Sequence, residues 1–166
     1  METKDWLLFA GPLIGLIVGG VVASLVKWNE FNRQTAREDR SLLRVGLEEL
    51  HLGIYDFMAA CDRFYTRVVG IAAVPPKPEN VYKMVEELQA IIDEPLPRLK
   101  SMQQRYAAEY GQPWVDVLNA TMTFKVSVEA VFRRQKTPGD LNKLNNTVKQ
   151  KCQIFLFRVN EKLEGL

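Results

Sequence analysis

Residues 42–70 read LLRVGLEELHLGIYDFMAACDRFYTRVVG. Within them Leu43, Leu47, Leu50, Ile54, Phe57, Cys61, Phe64 and Val68 recur at alternating intervals of four and three residues. That rhythm lays one narrow apolar seam along a helix running to about Gly70. Met58 and Tyr65 widen the stripe beyond a coiled-coil seam, so the helix reads as one member of a bundle.

Downstream the same reading repeats. Pro75-Pro76-Lys77-Pro78 is a stiff, extended connection. Asn80 is placed to cap a second helix, whose apolar face is Met84, Val85, Leu88, Ile91 and Ile92. Pro95 and Pro97 must kink it. The pattern resumes at Leu99, Met102, Tyr106 and Tyr110, and Gly111 with Pro113 reads as a stop. Residues 114–136 place Trp114, Val117, Leu118, Thr121, Phe124, Val128 and Val131 at helical spacing. Met122, Phe124, Val126 and Val128 also alternate as a strand would, but no other segment offers a strand partner. Thr137-Pro138-Gly139-Asp140 reads as a turn. The last helix carries Leu141, Leu144, Val148, Cys152, Phe155, Val159 and Leu163. Its run Ile154-Phe155-Leu156-Phe157 is apolar around too much of the helix for one buried face. Ile154, Leu156 and Phe157 therefore stand as a candidate apolar partner surface.

The sum is all-α: an antiparallel four-helix bundle over residues 42–166 with a Pro-kinked second helix. The first helix, 42–70, and the second, 80–110, come to about 44 and 46 Å at 1.5 Å per residue, which match.

Upstream of the seam the sequence changes character. Residues 6–26 read WLLFAGPLIGLIVGGVVASLV, 21 residues without a charge. As a helix they span roughly 32 Å, the thickness of a hydrocarbon core. Trp6 and Trp28 bracket the run at the depth where amphipathic rings settle. The first five residues lack the basic character of a signal peptide, and the apolar run continues past Val21-Val22-Ala23, where cleavage would fall. The expectation is a short tail (1–5), a single-pass transmembrane helix (6–26) and a polar stalk (27–41). No Gly or Pro interrupts residues 21–45, so helix, stalk and bundle can be continuous. Lys27, Arg33, Arg37, Arg40 and Arg44 outweigh Lys4, which puts the N-terminus outside and the bundle in the cytoplasm. Gly11, Gly15, Gly19 and Ala23 recur every four residues. Small residues at that interval let membrane helices approach closely, so this face is a candidate for pairing with a second copy or another membrane protein.

Composition narrows the function classes. Charged residues are 25% and hydrophobic ones 47%, ordinary for a folded chain, and the net charge is only +2. The charge is uneven. Residues 112–166 carry nine Lys/Arg against five Asp/Glu, whereas residues 31–111 carry eleven against twelve. Arg133, Arg134, Lys136, Lys143, Lys149 and Lys151 form a candidate basic contact surface. Such a surface suits anionic lipid or an acidic protein; no nucleic-acid fold signature accompanies it, so nucleic acid is not an expected partner.

Nothing in the sequence nominates an enzyme or a cofactor. Glu48 and His51 have the Glu-x-x-His spacing of a di-iron bundle, but such sites need two motifs and the chain has one histidine. The carboxylate pairs Glu48-Glu49, Glu86-Glu87 and Asp93-Glu94 are adjacent on helices, about 100° apart, and do not converge on a shared proton. Cys61 and Cys152 are too few for a disulfide scaffold and lack further ligands for zinc. They read as small core residues, or as a bridge if the domain faces an oxidising compartment. The expectation is a membrane-anchored helical bundle acting through protein–protein contact, as scaffold, assembly factor or accessory subunit, self-associating in the membrane. The alternative is a tethered sensor whose bundle binds a small ligand or anionic lipid and signals along the continuous helix.

Overall fold

A computed structural model of the chain describes the backbone of residues 3–73 and 78–166, and the side chains of residues 21–73 and 79–166. Five α-helices account for most of it: α1 (Thr3–Ala73), α2 (Val81–Asp93), α3 (Leu96–Tyr106), α4 (Gly111–Phe132) and α5 (Pro138–Glu164). No strand occurs among the described residues. The chain divides into two units, Met1–Leu42 and Leu43–Leu166, with α1 contributing to both.

In the first unit every described side chain, from Val21 to Leu42, is exposed. Residues 6–20 of the expected span lie outside the described side chains, and with them Gly11, Gly15 and Gly19. Among the described residues no helix is long and apolar enough to cross a membrane. Pro75-Pro76-Lys77 of the expected connection also lies outside the described residues.

The second unit is the bundle. The seam on α1 is its spine: Leu47, Leu50, Ile54, Phe57, Cys61, Phe64 and Val68 are buried, and Leu43, Met58 and Tyr65 pack against them half-buried. Each fully buried Leu, Ile or Phe contributes roughly 1.5–3 kcal/mol of transfer free energy. Phe64 of α1 meets Phe124 of α4 edge-on across the interior, with ring centres 5.0 Å apart. Trp114 of α4 stacks at a tilt on Phe155 of α5, at 5.5 Å.

Residue pairs fix the direction of the helices. His51 and Asp62 of α1 bond to Asn160 and Asn145 of α5, so the two helices run antiparallel. Gly46 lies against Tyr106, and Gly53 lies against Leu99, which sets α3 antiparallel to α1. Neither glycine leaves room for a side chain: a Cβ on Gly53 would stand 2.7 Å from the Leu99 Cδ2, and one on Gly46 would enter the Tyr106 ring. The two glycines permit the close approach.

The kink expected at Pro95 and Pro97 is present. Glu94 and Pro95 keep right-handed helical dihedrals, with Glu94 N–H bonded to Ala90 O at 3.0 Å. Two prolines without N–H groups remove two rungs of the ladder there, and the arm divides into α2 and α3. Asn80 stands at the start of α2, but its side chain makes no capping bond; its backbone is already helical after the short 3-10 turn Pro78–Asn80.

Two loop expectations need correction. Gly111 does not stop a helix; it begins α4, with φ of −57°. The reversal occurs earlier, at buried Ala107, whose φ is −140° and whose carbonyl accepts a 3.0 Å bond from the buried Gln103 amide. Pro113 then falls in the first turn of α4, where its missing N–H removes no intrahelical bond. Likewise Thr137-Pro138-Gly139-Asp140 is not the turn but the start of α5. Thr137 and Asp140 form a reciprocal capping box, and Pro138 takes the first helical position. The turn is Arg133–Lys136, where Arg134 takes a left-handed φ of 57° and Gln135 N–H returns to Ala130 O at 2.8 Å.

Candidate functional site

The last helix gathers most of the polar contacts that cross the bundle. Asp62 of α1 receives the Asn145 amide at 2.8 Å and the Lys149 ammonium at 2.6 Å. Asp116 of α4 receives Lys151 at 3.2 Å. Lys162 reaches Glu109 and also donates to Tyr106 O at 2.7 Å. The three carboxylates are all held below their ordinary range. For Asp62 and Glu109 partial burial pushes upward, but the lysine and amide hydrogen bonds outweigh it. For Asp116 the bond from Lys151 dominates.

These pairs decide what becomes of the basic surface expected from Arg133, Arg134, Lys136, Lys143, Lys149 and Lys151. The six do not form one face. Lys149 turns to α1 and Lys151 to α4, each binding a carboxylate. Arg133 closes on Glu129 one turn back at 2.6 Å. Lys136 donates to Ser127 Oγ at 2.9 Å, and Lys143 lies 3.8 Å from Asp140. Only Arg134 of the six is without a carboxylate or hydroxyl partner among the described residues. Net charge by segment could not reveal this, because it does not say which acid each base meets: Glu129 and Asp140 lie one turn along the chain from their partners, whereas Asp116 comes from α4 and Asp62 from α1.

The candidate apolar surface is also changed. Leu156 is 4% exposed and belongs to the core, because α5 turns it inward beside Phe155 and Val159. Ile154 and Phe157 remain on the outside at 52% and 59% exposure. The Arg158 guanidinium lies 5.9 Å from the Phe157 ring centre. Ala23 of the glycine face is exposed, and its three glycine companions lie outside the described side chains.

Among the described residues the candidate catalytic and ligating side chains have other partners. Glu48 pairs with Arg44, while His51 Nδ1 lies 2.7 Å from Asn160 Oδ1 and its ring is 5.1 Å from Tyr55. His51 thus joins α1 to α5 as a boundary residue. The adjacent carboxylates diverge as their 100° spacing requires: Glu49 goes to Arg98, Glu87 to Lys83 and Asp93 to Lys125. Among the described residues no three metal-ligating side chains cluster. Cys61 and Cys152 are free and fully buried, with both thiols pushed up to about 12 by that burial.

Two features escape the sequence reading. One is an open cleft of about 650 Å³ where α1 diverges from the kinked arm, lined by Leu52, Asp56, Arg63, Glu94 and Arg98 among others. Its sequence signal is the coincidence of Pro95 with small Gly53 and Ala60 on the facing helix. The other is a set of exposed apolar side chains on α4: Val115, Met122 and Val126. Their signal was present in the doubled periodicity of that segment, which suits a helix with apolar residues on two faces. Comparison with family models, curated proteins and solved structures finds no match to this chain.

Proposed function

We propose that the chain is a membrane-anchored helical bundle that works through protein–protein contact, as a scaffold, assembly factor or accessory subunit, and that it self-associates. The observation that carries this reading is the uncharged run at 6–26 together with the apolar side chains that α1 leaves uncovered from Val21 onward. Val21, Val22, Leu25, Val26, Trp28 and Phe31 are all between 51% and 66% exposed. A helix that leaves this much apolar surface without cover inside its own chain calls for lipid or another protein to cover it. Lys149, Lys151 and Lys162 are engaged in holding α5 to its neighbours, while Met122, Val126, Ile154 and Phe157 stay exposed and offer apolar contact at the surface of the bundle. The topology in this reading puts the bundle on the cytoplasmic side, from the excess of basic residues after the span.

The test is alkaline carbonate extraction of membranes containing the full chain. The chain should stay in the pellet, and deletion of residues 6–26 should release it. Full extraction of the intact chain overturns the anchor. Gly15→Ile with Gly19→Ile should reduce crosslinked oligomers in the membrane if the small-residue face pairs; unchanged crosslinking removes that face from the proposal.

The cleft beside the kink favours a second reading, a tethered sensor that binds a small ligand. Its wall mixes acids with Arg63 and Arg98, a lining suited to a zwitterion. A compound panel that leaves the thermal midpoint of the full chain unmoved argues against it.

A further inference from the structure

The inward face of α4 buries Trp114, Val117, Thr121, Phe124, Val128 and Val131. Its outward face is not simply polar. Val115 is 43% exposed, Met122 64% and Val126 59%. Isolated surface hydrophobics need no explanation, but these three are in step. With Asn119, Glu129 and Arg133 they recur at intervals of four, three, four, three and four residues. This is the repeat of a coiled-coil seam, and it runs along the side of α4 that the bundle leaves uncovered.

The residue types follow the rules of a particular pairing. In the heptad frame Asn119, Val126 and Arg133 fall at a positions, and Val115, Met122 and Glu129 at d. At the centre of the seam Val126 at a and Met122 at d pair a β-branched residue with an unbranched apolar one, the combination that favours two parallel strands; Val115, β-branched at d, lies at its end. A single Asn at a fixes register and strand number, because only an in-register copy offers its amide a partner. The flanking positions raise no objection: Leu118 and Lys125 on one side face Thr123 and Ala130 on the other, with no like charges opposed. Glu129 and Arg133, bonded within the helix at 2.6 Å, can exchange partners with the same pair on a facing copy.

We infer that this face of α4 docks on the same face of a second copy of the chain, the two helices running parallel about a two-fold axis. The inference names the partner in the self-association proposed above and rests on that reading. The apolar part of the seam, residues 115–126, is only about 17 Å long, short for a dimer between free proteins. Confinement to one membrane raises the effective concentration enough for a short seam to pair.

The experiment uses the full chain reconstituted in phosphatidylcholine vesicles, with single substitutions Asn119→Cys, Met122→Cys and Ile154→Cys. The native thiols are buried and serve as the wild-type background. Brief copper–phenanthroline oxidation should convert the 119 and 122 variants to disulfide dimers at roughly fivefold or more the yield of the 154 variant. Adding Val126→Lys to Asn119→Cys should return the yield to the level of the 154 variant, with helicity by circular dichroism unchanged. Equal yields at 119, 122 and 154, or no dimer at 119 and 122, overturn the seam. Alkaline washing of the same vesicles separates the two levels: a chain that washes off overturns the membrane reading, whereas a retained chain that does not crosslink at 119 or 122 overturns the seam alone.

Discussion

Asp62 is, with His51, a residue through which α1 and α5 hold each other. Its carboxylate sits at the edge of the core, and it is the acceptor for the side-chain amide of Asn145, which is 2% exposed. The Asn145 carbonyl oxygen already lacks a partner. Asp62→Ala would orphan the amide nitrogen as well, leaving a fully buried polar group without bonds. That costs about 1–3 kcal/mol, whereas the half-exposed ion pair to Lys149 contributes at most ~1 kcal/mol. The amide, not the charge, should dominate. Asp62→Asn keeps an acceptor and should lose less than half as much; equal losses in urea unfolding of the full chain in non-ionic micelles would show the opposite order. At the same interface Cys61 and Cys152 are fully buried with thiols pushed up to about 12, so little reactive thiolate forms at neutral pH. A thiol reagent at pH 8 should modify neither in the folded chain and both once denaturant is added. Modification without denaturant would mean that the α1–α5 interface opens locally.

Between elements, glycine decides where helices touch. Gly46→Ala gains up to about 1 kcal/mol of helix propensity, but its Cβ meets the Tyr106 ring, and overpacking costs typically 1–3 kcal/mol. The net should be destabilising. Gly70, on the same helix, has open space around it: a Cβ added there would meet nothing within 4 Å, so Gly70→Ala should raise the unfolding midpoint. Opposite signs for one substitution on one helix are the expected result; a stabilised Gly46→Ala would mean that Tyr106 swings aside freely. The sequence showed the buried seam of α1 almost residue for residue, because apolar residues in an unbroken 4–3 repeat lie along one face of a helix. It also showed the kink, because Pro95 and Pro97 cannot donate. Chain reversals were less legible. Gly111 and Pro113 carry the same letters in a helix stop and a helix start, and Thr137-Pro138-Gly139-Asp140 suits a turn as well as a capping box. What separates them is which neighbour each backbone group bonds to. The Lys149 and Lys151 partnerships and the burial of Leu156 were illegible for a related reason: helix rotation is set by all the faces at once.

At the scale of the whole bundle, α5 is bound on three sides by carboxylates: Asp62 from α1, Asp116 from α4 and Glu109 from the turn before α4. Each is held below its ordinary value of 3.8 or 4.5 in the folded chain, Asp62 and Glu109 by lysine bonds that outweigh burial and Asp116 chiefly by its bond from Lys151. A folded carboxylate below its unfolded value binds its proton later than the unfolded chain does. The stabilisation it brings is therefore complete above the unfolded value and is lost as pH falls through the folded one. Stability should be level from neutral pH down to about 5 and then decline below about 4, all three sites acting in the same direction. Because the pairs are partly exposed, added salt should flatten the decline. Replacing Lys149, Lys151 and Lys162 with Met should remove much of it while leaving the core seam intact, since Met keeps an unbranched apolar stem in place of each lysine's and removes only the ammonium. Thermal unfolding followed by circular dichroism at pH 3, 4, 5 and 7 measures this. An acid decline of equal depth in the triple variant would move its origin away from the three lysine pairs, to Asp140, whose carboxyl is held below its ordinary value chiefly by the hydrogen bond from the Thr137 side chain.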